Sequence, residues 1–468
     1  MIFDLKKFGG NIAVISETDV RTYDQLSETA NEIADAVGER CLVFLFCTNS
    51  FESIAGYVGF LNRGIVPLML DSDLNAELVS NLLKLYRPKY LWLPARLGDG
   101  YAECKKIFEL NDYVLLDTQE AEPFELNDGL ALLMTTSGST GSPKFVRQTY
   151  ENIVANTKSI VEYLRIDGGE RAITNLPMSY VFGLSIINTH LYVGASVVAT
   201  DKTMFQKEFW QLLKDHAVTT LSGVPYTFSM LQRLRFFRMQ LPALKTITQA
   251  GGKLDPELHQ QFAEYASKVG KKFYVMYGAA EATARMGYLP AEDSLRKCGS
   301  MGMAIPGGRF ELVDNDGRLI DSSDVIGELI YYGDNVCWGY AEGGADLIKG
   351  DERGKRLETG DLAKRDDEGY YTIVGRKKRF LKMFGKRINL QEVEHLIRNK
   401  FGIAEVACAG VDDKMYVFVV DNDRLNEIAA YLSKTINVHP TALKIKSVDE
   451  IPKNASGKVL YNELEHYY

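Results

Sequence analysis

Short apolar runs and amphipathic stretches alternate along the first two thirds of the chain. The runs LVFLFC (42–47), YLWL (90–93), YVLL (113–116) and SVVA (196–199) read as strands buried on both faces. Between such runs, 24–37 and 75–86 carry helical spacing; the first sets Leu26, Ala30, Ile33, Ala34 and Val37 on one face. Strands alternating with helices predict parallel sheets covered by helices. From Ala172 to Thr200 no Asp, Glu, Lys or Arg occurs, but Asn175, Pro177, Ser179, Gly183, Asn188 and His190 interrupt the run. A membrane-spanning helix needs about 20 mainly apolar residues, so a buried strand–loop–helix is expected there instead.

Beyond about 310 the texture changes to Gly, Asp and aromatic residues with short alternating strands (ELIYY, YYTIV), which predicts a small antiparallel β unit over 310–374. After the basic run GRKKR (375–379) the pattern predicts a helix at 391–400, strands at 405–410 and 415–420, and a helix at 424–436. A basic cluster beside a glycine marks a hinge. The expected fold is α/β: a large N-terminal domain (1–377) of helix-covered sheets with the small β unit inside it, and a mobile α+β C-terminal domain (378–468).

A chain of 468 residues is long enough for two to four cores. Its net charge of −8 disfavours nucleic acid as a partner. Six scattered cysteines without a CxxC pair argue against a disulfide framework or a zinc site and fit a reducing compartment. The N-terminus MIFDLKKFGG has no apolar core of a signal peptide. A cytoplasmic protein is expected.

Four segments carry candidate chemistry. Thr135 to Lys144 (TTSGSTGSPK) sets hydroxyls, two glycines and a lysine after an apolar strand-like run. That suits a phosphate cradle, although it is no P-loop, and a flexible Ser/Gly loop has the same composition. Tyr277-Gly278-Ala279-Ala280-Glu281 follows the strand-like KKFYVM; it offers an aromatic for a base and a carboxylate for magnesium, or else a surface glutamate. Asp361, after Gly360 and followed by Gly375-Arg376, suits two ribose hydroxyls, or simply a β-turn. Lys458, on the loop PKNASGK, is either a deliverable point charge or a solvated lysine.

Taken in order, these segments resemble the adenylate-forming superfamily of acyl-CoA synthetases, luciferases and adenylation domains. Arg21-Thr22-Tyr23-Asp24-Gln25-Leu26, Leu176-Pro177, Ala250-Gly251-Gly252, Gly327-Glu328-Leu329 and Gly339-Tyr340 extend the resemblance over nearly the whole chain. It implies an enzyme that activates a carboxylic acid with ATP and Mg²⁺ as acyl-AMP, then passes the acyl group to the thiol of CoA or of a carrier protein's phosphopantetheine. It implies ATP contacts at Thr136, Ser137, Gly138, Ser139, Thr140, Gly141, Lys144, Gly251, Tyr277, Gly278, Asp361 and Arg376. Lys458, Glu281 and Thr140 are implied as catalytic, Glu281 as the metal ligand, and Lys378 as the pivot of a rotating C-terminal domain. An acyl pocket is implied at Tyr180, Val181, Phe182 and Met276.

Two departures stand out. Ala280 replaces the family's usual threonine, which leaves open a weakened or silent homologue. Val181 stands where amino-acid-activating relatives place an Asp, and an ammonium left unpaired there is costly, so a non-amino acid is expected as substrate. Arg285 meets either a polar group on the acyl chain or a structural acid. Residues 376–387 hold seven basic groups and no acid, suited to CoA phosphates or an acidic carrier.

Overall fold

The computed structural model describes residues 2–135, 144–377, 379–383, 386–411, 413–420, 423–436, 438–453 and 459–468. Thr22 caps the helix Tyr23–Val37: its hydroxyl accepts from the backbone of Gln25, and the Gln25 side chain answers to the Thr22 backbone. The five predicted apolar positions of this helix are all buried.

Two sheets form the larger compact unit, Met1–Phe310 with Tyr331–Leu357. One has eight strands with a parallel centre, Leu130–Thr135, Val66–Asp71, Leu42–Cys47 and Tyr90–Pro94. The other has nine, with parallel Lys272–Tyr277, Thr246–Gln249, Thr220–Gly223, Arg171–Ile173, Ser196–Val198 and Ile12–Ile15. Every residue of Leu42–Cys47 is buried, as its unbroken apolar run requires of a strand covered on both faces.

The outer strands depart from the parallel expectation. Phe145–Thr149, Tyr113–Asp117, Gly287–Leu289 and Val20–Thr22 all pair antiparallel with their neighbours. Between Ile12–Ile15 and Val20–Thr22 the connection is residues 16–19, too short for the crossover that a parallel pairing needs. The charge-free stretch folds as strand Arg171–Ile173, helix Val181–Tyr192 and strand Ser196–Val198. No helix among the described residues is long and apolar enough to cross a membrane.

The second compact unit joins Glu311–Ile330 to Glu358–Tyr468. The small β unit expected over 310–374 forms as a four-stranded sheet of Gly308–Val313, Gly327–Gly333, Arg356–Arg365 and Tyr371–Arg376, while 331–357 groups with the larger unit. Tyr331 explains part of this, since its ring meets Phe310 at 5.4 Å and its hydroxyl donates to Asn335 at 2.8 Å. In the C-terminal part, Lys414–Val419 pairs antiparallel with Val406–Val411 and parallel with Leu443–Ser447. Helices Leu390–Phe401 and Leu425–Thr435 bury Val393, Ile397, Ile428 and Leu432 in one cluster with Cys408, Val417 and Val419 of that sheet.

Candidate active site

The strand Lys272–Tyr277 ends in the YGAAE segment, at the carboxyl edge of parallel strands where α/β sheets place their ligands. No side chain fits at Gly278, because a Cβ there would lie 1.8 Å from the Ala284 carbonyl oxygen. The chain then turns through the short 3₁₀ helix Ala280–Ala282, which carries Glu281. One Glu281 carboxylate oxygen accepts from the Tyr340 hydroxyl at 2.7 Å, and its backbone carbonyl accepts from Cys337 N at 3.0 Å. Burial, and then the neighbouring Glu281 carboxylate, hold the Tyr340 hydroxyl well above the usual phenol range, so it remains a donor at neutral pH.

The same Tyr340 ring carries two cations. Lys144 Nζ stands 3.8 Å from its centroid and Arg353 Cζ 4.7 Å. Lys144, the last residue of the hydroxyl-rich motif, and Glu281, of the YGAAE segment, thus meet around one aromatic. Tyr340 had been legible only as half of a Gly-Tyr pair; its part in the site comes from a contact 59 residues away in sequence. Thr136, Ser137, Gly138, Ser139, Thr140, Gly141, Lys378 and Lys458 lie outside the described residues.

Of the expected acyl-pocket residues, Phe182 and Met276 share a buried cluster with Tyr180 packed against it, whereas Val181 joins the neighbouring core with Ala280 and Ala284. The Ala280 departure is therefore part of a packed core; the residue is 5 % exposed. Gly251 adopts φ +86°, and a Cβ on it would come within 2.7 Å of the Tyr180 hydroxyl, so the Ala-Gly-Gly turn and Tyr180 adjoin. Arg285 lies against the Phe182 ring, its Cζ 3.9 Å from the centroid. Of its two alternatives, the structural salt bridge is not formed: no described carboxylate pairs with Arg285.

In the second unit, Asp361 and Arg376 are cross-strand partners in the antiparallel pair Arg356–Arg365 and Tyr371–Arg376. Arg376 Nε donates to Asp361 Oδ1 at 2.9 Å; the aspartate is buried and the arginine exposed. The Thr359 hydroxyl accepts from Asp361 N at 3.1 Å and donates to the Leu329 carbonyl at 2.7 Å. Asp361 is thus a buried carboxylate on a strand rather than an open turn residue. Asp361→Ala is expected to raise KM for ATP about tenfold, the worth of a charge-assisted hydrogen bond, and to change kcat little. Steady-state kinetics over ATP concentration test this; an unchanged KM would leave Asp361 only a partner for Arg376.

A family profile for AMP-binding enzymes matches residues 4–341, and one for the AMP-binding enzyme C-terminal domain matches 392–458. The chain is 29% identical over 342 residues to a sulfoacetate–CoA ligase of Cupriavidus necator, covering 71% of this chain and 66% of that one. It is 24% identical over 476 residues to a 2-succinylbenzoate–CoA ligase of Staphylococcus epidermidis, covering 96% and 94%. Its fold matches O-succinylbenzoate coenzyme A synthetase from Bacillus subtilis, solved in complex with ATP and magnesium ion, at a TM-score of 0.80 and 22% identity over 97% of this chain and 96% of that one. The anthranilate CoA ligase AuaEII matches at 0.79 and 20% identity over 99% and 96%. With one profile spanning most of its length and the second its C-terminal part, the chain belongs to the AMP-binding enzymes, the adenylate-forming superfamily that its motifs resemble.

Proposed function

We infer that the chain is an ATP-dependent acid:thiol ligase that makes an acyl-adenylate with release of pyrophosphate and then transfers the acyl group to CoA. The observation that carries this reading is the meeting of Lys144 and Glu281 on Tyr340, just past the end of the strand Lys272–Tyr277. Lys144 supplies positive charge to a triphosphate. Glu281 is a single, partly exposed carboxylate, and no group of three or more metal-binding side chains occurs among the described residues. That fits magnesium, which takes one or two protein carboxylates and completes its shell with water and phosphate oxygens. When bound, it neutralises charge on the phosphates.

Tyr277, half-buried beside Phe310, stacks the adenine; Asp361 holds the ribose, with Arg376 beside it. Lys458 brings positive charge to the meeting of carboxylate and α-phosphate, and rotation about Lys378 of a domain running from 378 to 468 separates the two half-reactions. CoA is the acceptor favoured by the names of the relatives. The seven basic groups of 376–387 suit its phosphates and would equally draw an acidic carrier protein. The acids named for the relatives, sulfoacetate and 2-succinylbenzoate, each carry a second acidic group, so acids of that kind head the panel to be assayed. The unpaired cysteines agree with work in the cytoplasm.

Pyrophosphate release with a panel of acids, first without and then with CoA, tests the assignment. ATP- and acid-dependent release followed by a CoA thioester is expected; no release with any acid would favour a silent nucleotide-binding homologue. Within this site, Tyr340→Phe is expected to lower kcat for adenylation about tenfold, because Glu281 loses a charge-assisted donor. The melting temperature should stay close to that of the native chain. An unaltered kcat would show that the Tyr340 hydroxyl does not orient Glu281.

A further inference from the structure

We propose that Arg285 is a specificity-determining residue that binds a second anionic group, carboxylate or sulfonate, on the acid substrate. The proposal rests on the acid:thiol ligase reading and adds the substrate class to it.

Arg285 is 2 % exposed. Its guanidinium lies on the face of Phe182, and its Nε is 3.5 Å from the sulfur of Met276. Its oxygen neighbours are the Tyr163 hydroxyl, which donates to the same sulfur at 3.1 Å, and the Tyr180 hydroxyl. No described carboxylate or backbone carbonyl accepts from its terminal nitrogens. Burial lowers the guanidinium pKa, with the Tyr163 and Tyr180 hydroxyls acting against that, and an arginine keeps its proton even so. A buried cation without a counter-charge is unfavourable, and its fork of donors is shaped for a planar or tetrahedral oxyanion.

The backbone at this point is held by dedicated side chains. Asn156 bonds both the N–H and the carbonyl of Arg285, and Asn335 donates to the same carbonyl at 2.9 Å. Two residues earlier Thr283 adopts φ +64°, a conformation that costs a β-branched residue energy, and its hydroxyl is tied to the Asn335 carbonyl at 2.8 Å. The segment that places Glu281 at one end places Arg285 at the other, so the metal carboxylate and the buried cation are set by one rigid turn.

Arg285 also lines a narrow cleft between the helices Tyr150–Leu164 and Val181–Tyr192 and the strands Thr220–Gly223 and Thr246–Gln249. Polar groups converge there in an otherwise apolar wall. The Ser222 and Thr248 hydroxyls bond each other at 2.8 Å, which leaves one of their two protons free to donate. His190 Nδ1 donates to the Ile186 carbonyl at 2.9 Å, and its buried Nε2 has no partner among the described residues. Burial pushes His190 down to about 4, so it is neutral and adds no competing cation. Glu170, the one acid of the lining, pairs through Oε1 with Lys245 at 3.2 Å, and its buried Oε2 has no partner among the described residues. The cleft therefore offers the Arg285 cation and hydrogen-bonding groups, and Glu170 makes no ion pair with Arg285.

Two matched pairs of acids test the proposal on the full chain: 2-succinylbenzoate against 4-oxo-4-phenylbutanoate, which lacks the ring carboxylate, and sulfoacetate against propanoate. The measurement is kcat/KM for pyrophosphate release by the native chain, Arg285→Met and Arg285→Lys, with KM for ATP and melting temperature taken on each. In at least one pair the native chain should prefer the doubly anionic acid by about 100-fold or more. Arg285→Met should abolish that preference while sparing the singly charged acid and KM for ATP, and Arg285→Lys should restore part of it. A native preference for the singly charged acids, or an equal loss on both members of each pair, overturns the proposal. Should Arg285→Met fail to fold, a lysine variant with undiminished preference overturns it and a reduced preference supports it. If no acid is turned over, the ligase reading fails; calorimetry with the same acids then decides the site, dianion binding lost in the Arg285 variants supporting it and absent dianion binding overturning it.

Discussion

Lys458→Ala is expected to slow acyl-adenylate formation by about 10²–10³-fold, the usual effect of removing one preorganised charge from a transition state. The reaction drives a carboxylate onto an α-phosphate, so two anions must approach within bonding distance. Lys144 and Glu281 sit together at Tyr340, where the proposed function puts the phosphate end of the nucleotide. Positive charge is still needed at the new bond, and the lysine loop PKNASGK supplies the remaining candidate. The charge acts only as the anions meet, so binding of ATP alone should be nearly unchanged. ATP–pyrophosphate exchange measures the first half-reaction, and synthetic acyl-adenylate with CoA measures the second. Exchange should collapse while thioester formation from the preformed adenylate survives. Undiminished exchange would remove Lys458 from the mechanism.

The sequence made the central architecture readable because burial leaves periodic traces. Helix Tyr23–Val37 shows its core face at i, i+3 and i+4, and strand Leu42–Cys47 shows an unbroken apolar run. The antiparallel edges were not readable, because an edge strand and a central strand can share composition, which does not encode pairing direction. The small sheet within 308–376 was readable from its short alternating strands; that 331–357 groups with the larger unit was not.

The site divided the same way. Asp361 and Arg376 were foreseen as neighbours, and strand register makes them direct partners. Tyr340 was visible as a motif without a role, because its role is a hydrogen bond to a residue on a distant segment. Arg285 was open between a structural ion pair and a ligand contact. Charge, spacing and composition cannot show that a guanidinium is buried with no acid beside it; packing of Phe182, Met276 and Tyr163 around it can.

Lys378→Pro is expected to leave adenylation within a fewfold of the native rate and to reduce thioester formation by about 100-fold, as loss of a gating rotation would. In the proposed reading the pivot falls at 378, and both of its neighbours are held by hydrogen bonds. Lys377 N donates to the Gly360 carbonyl at 2.7 Å, and its Nζ pairs with Glu328 at 2.6 Å. Arg379 donates to Glu394 and to the Cys408 carbonyl, each at 2.7 Å, and to the Tyr461 hydroxyl at 2.8 Å. Those bonds tie the start of the C-terminal domain to its own helix and sheet, and through Tyr461 to the segment just after the lysine loop. Proline fixes φ near −65° and restricts the preceding residue as well, which would oppose a rotation about 378. Pyrophosphate exchange run beside thioester yield, with CoA and with a phosphopantetheinylated carrier, separates the half-reactions. Equal loss of both would make residue 378 structural. Loss with only one acceptor would instead place that acceptor on the basic cluster of 376–387, and so decide between CoA and a carrier protein.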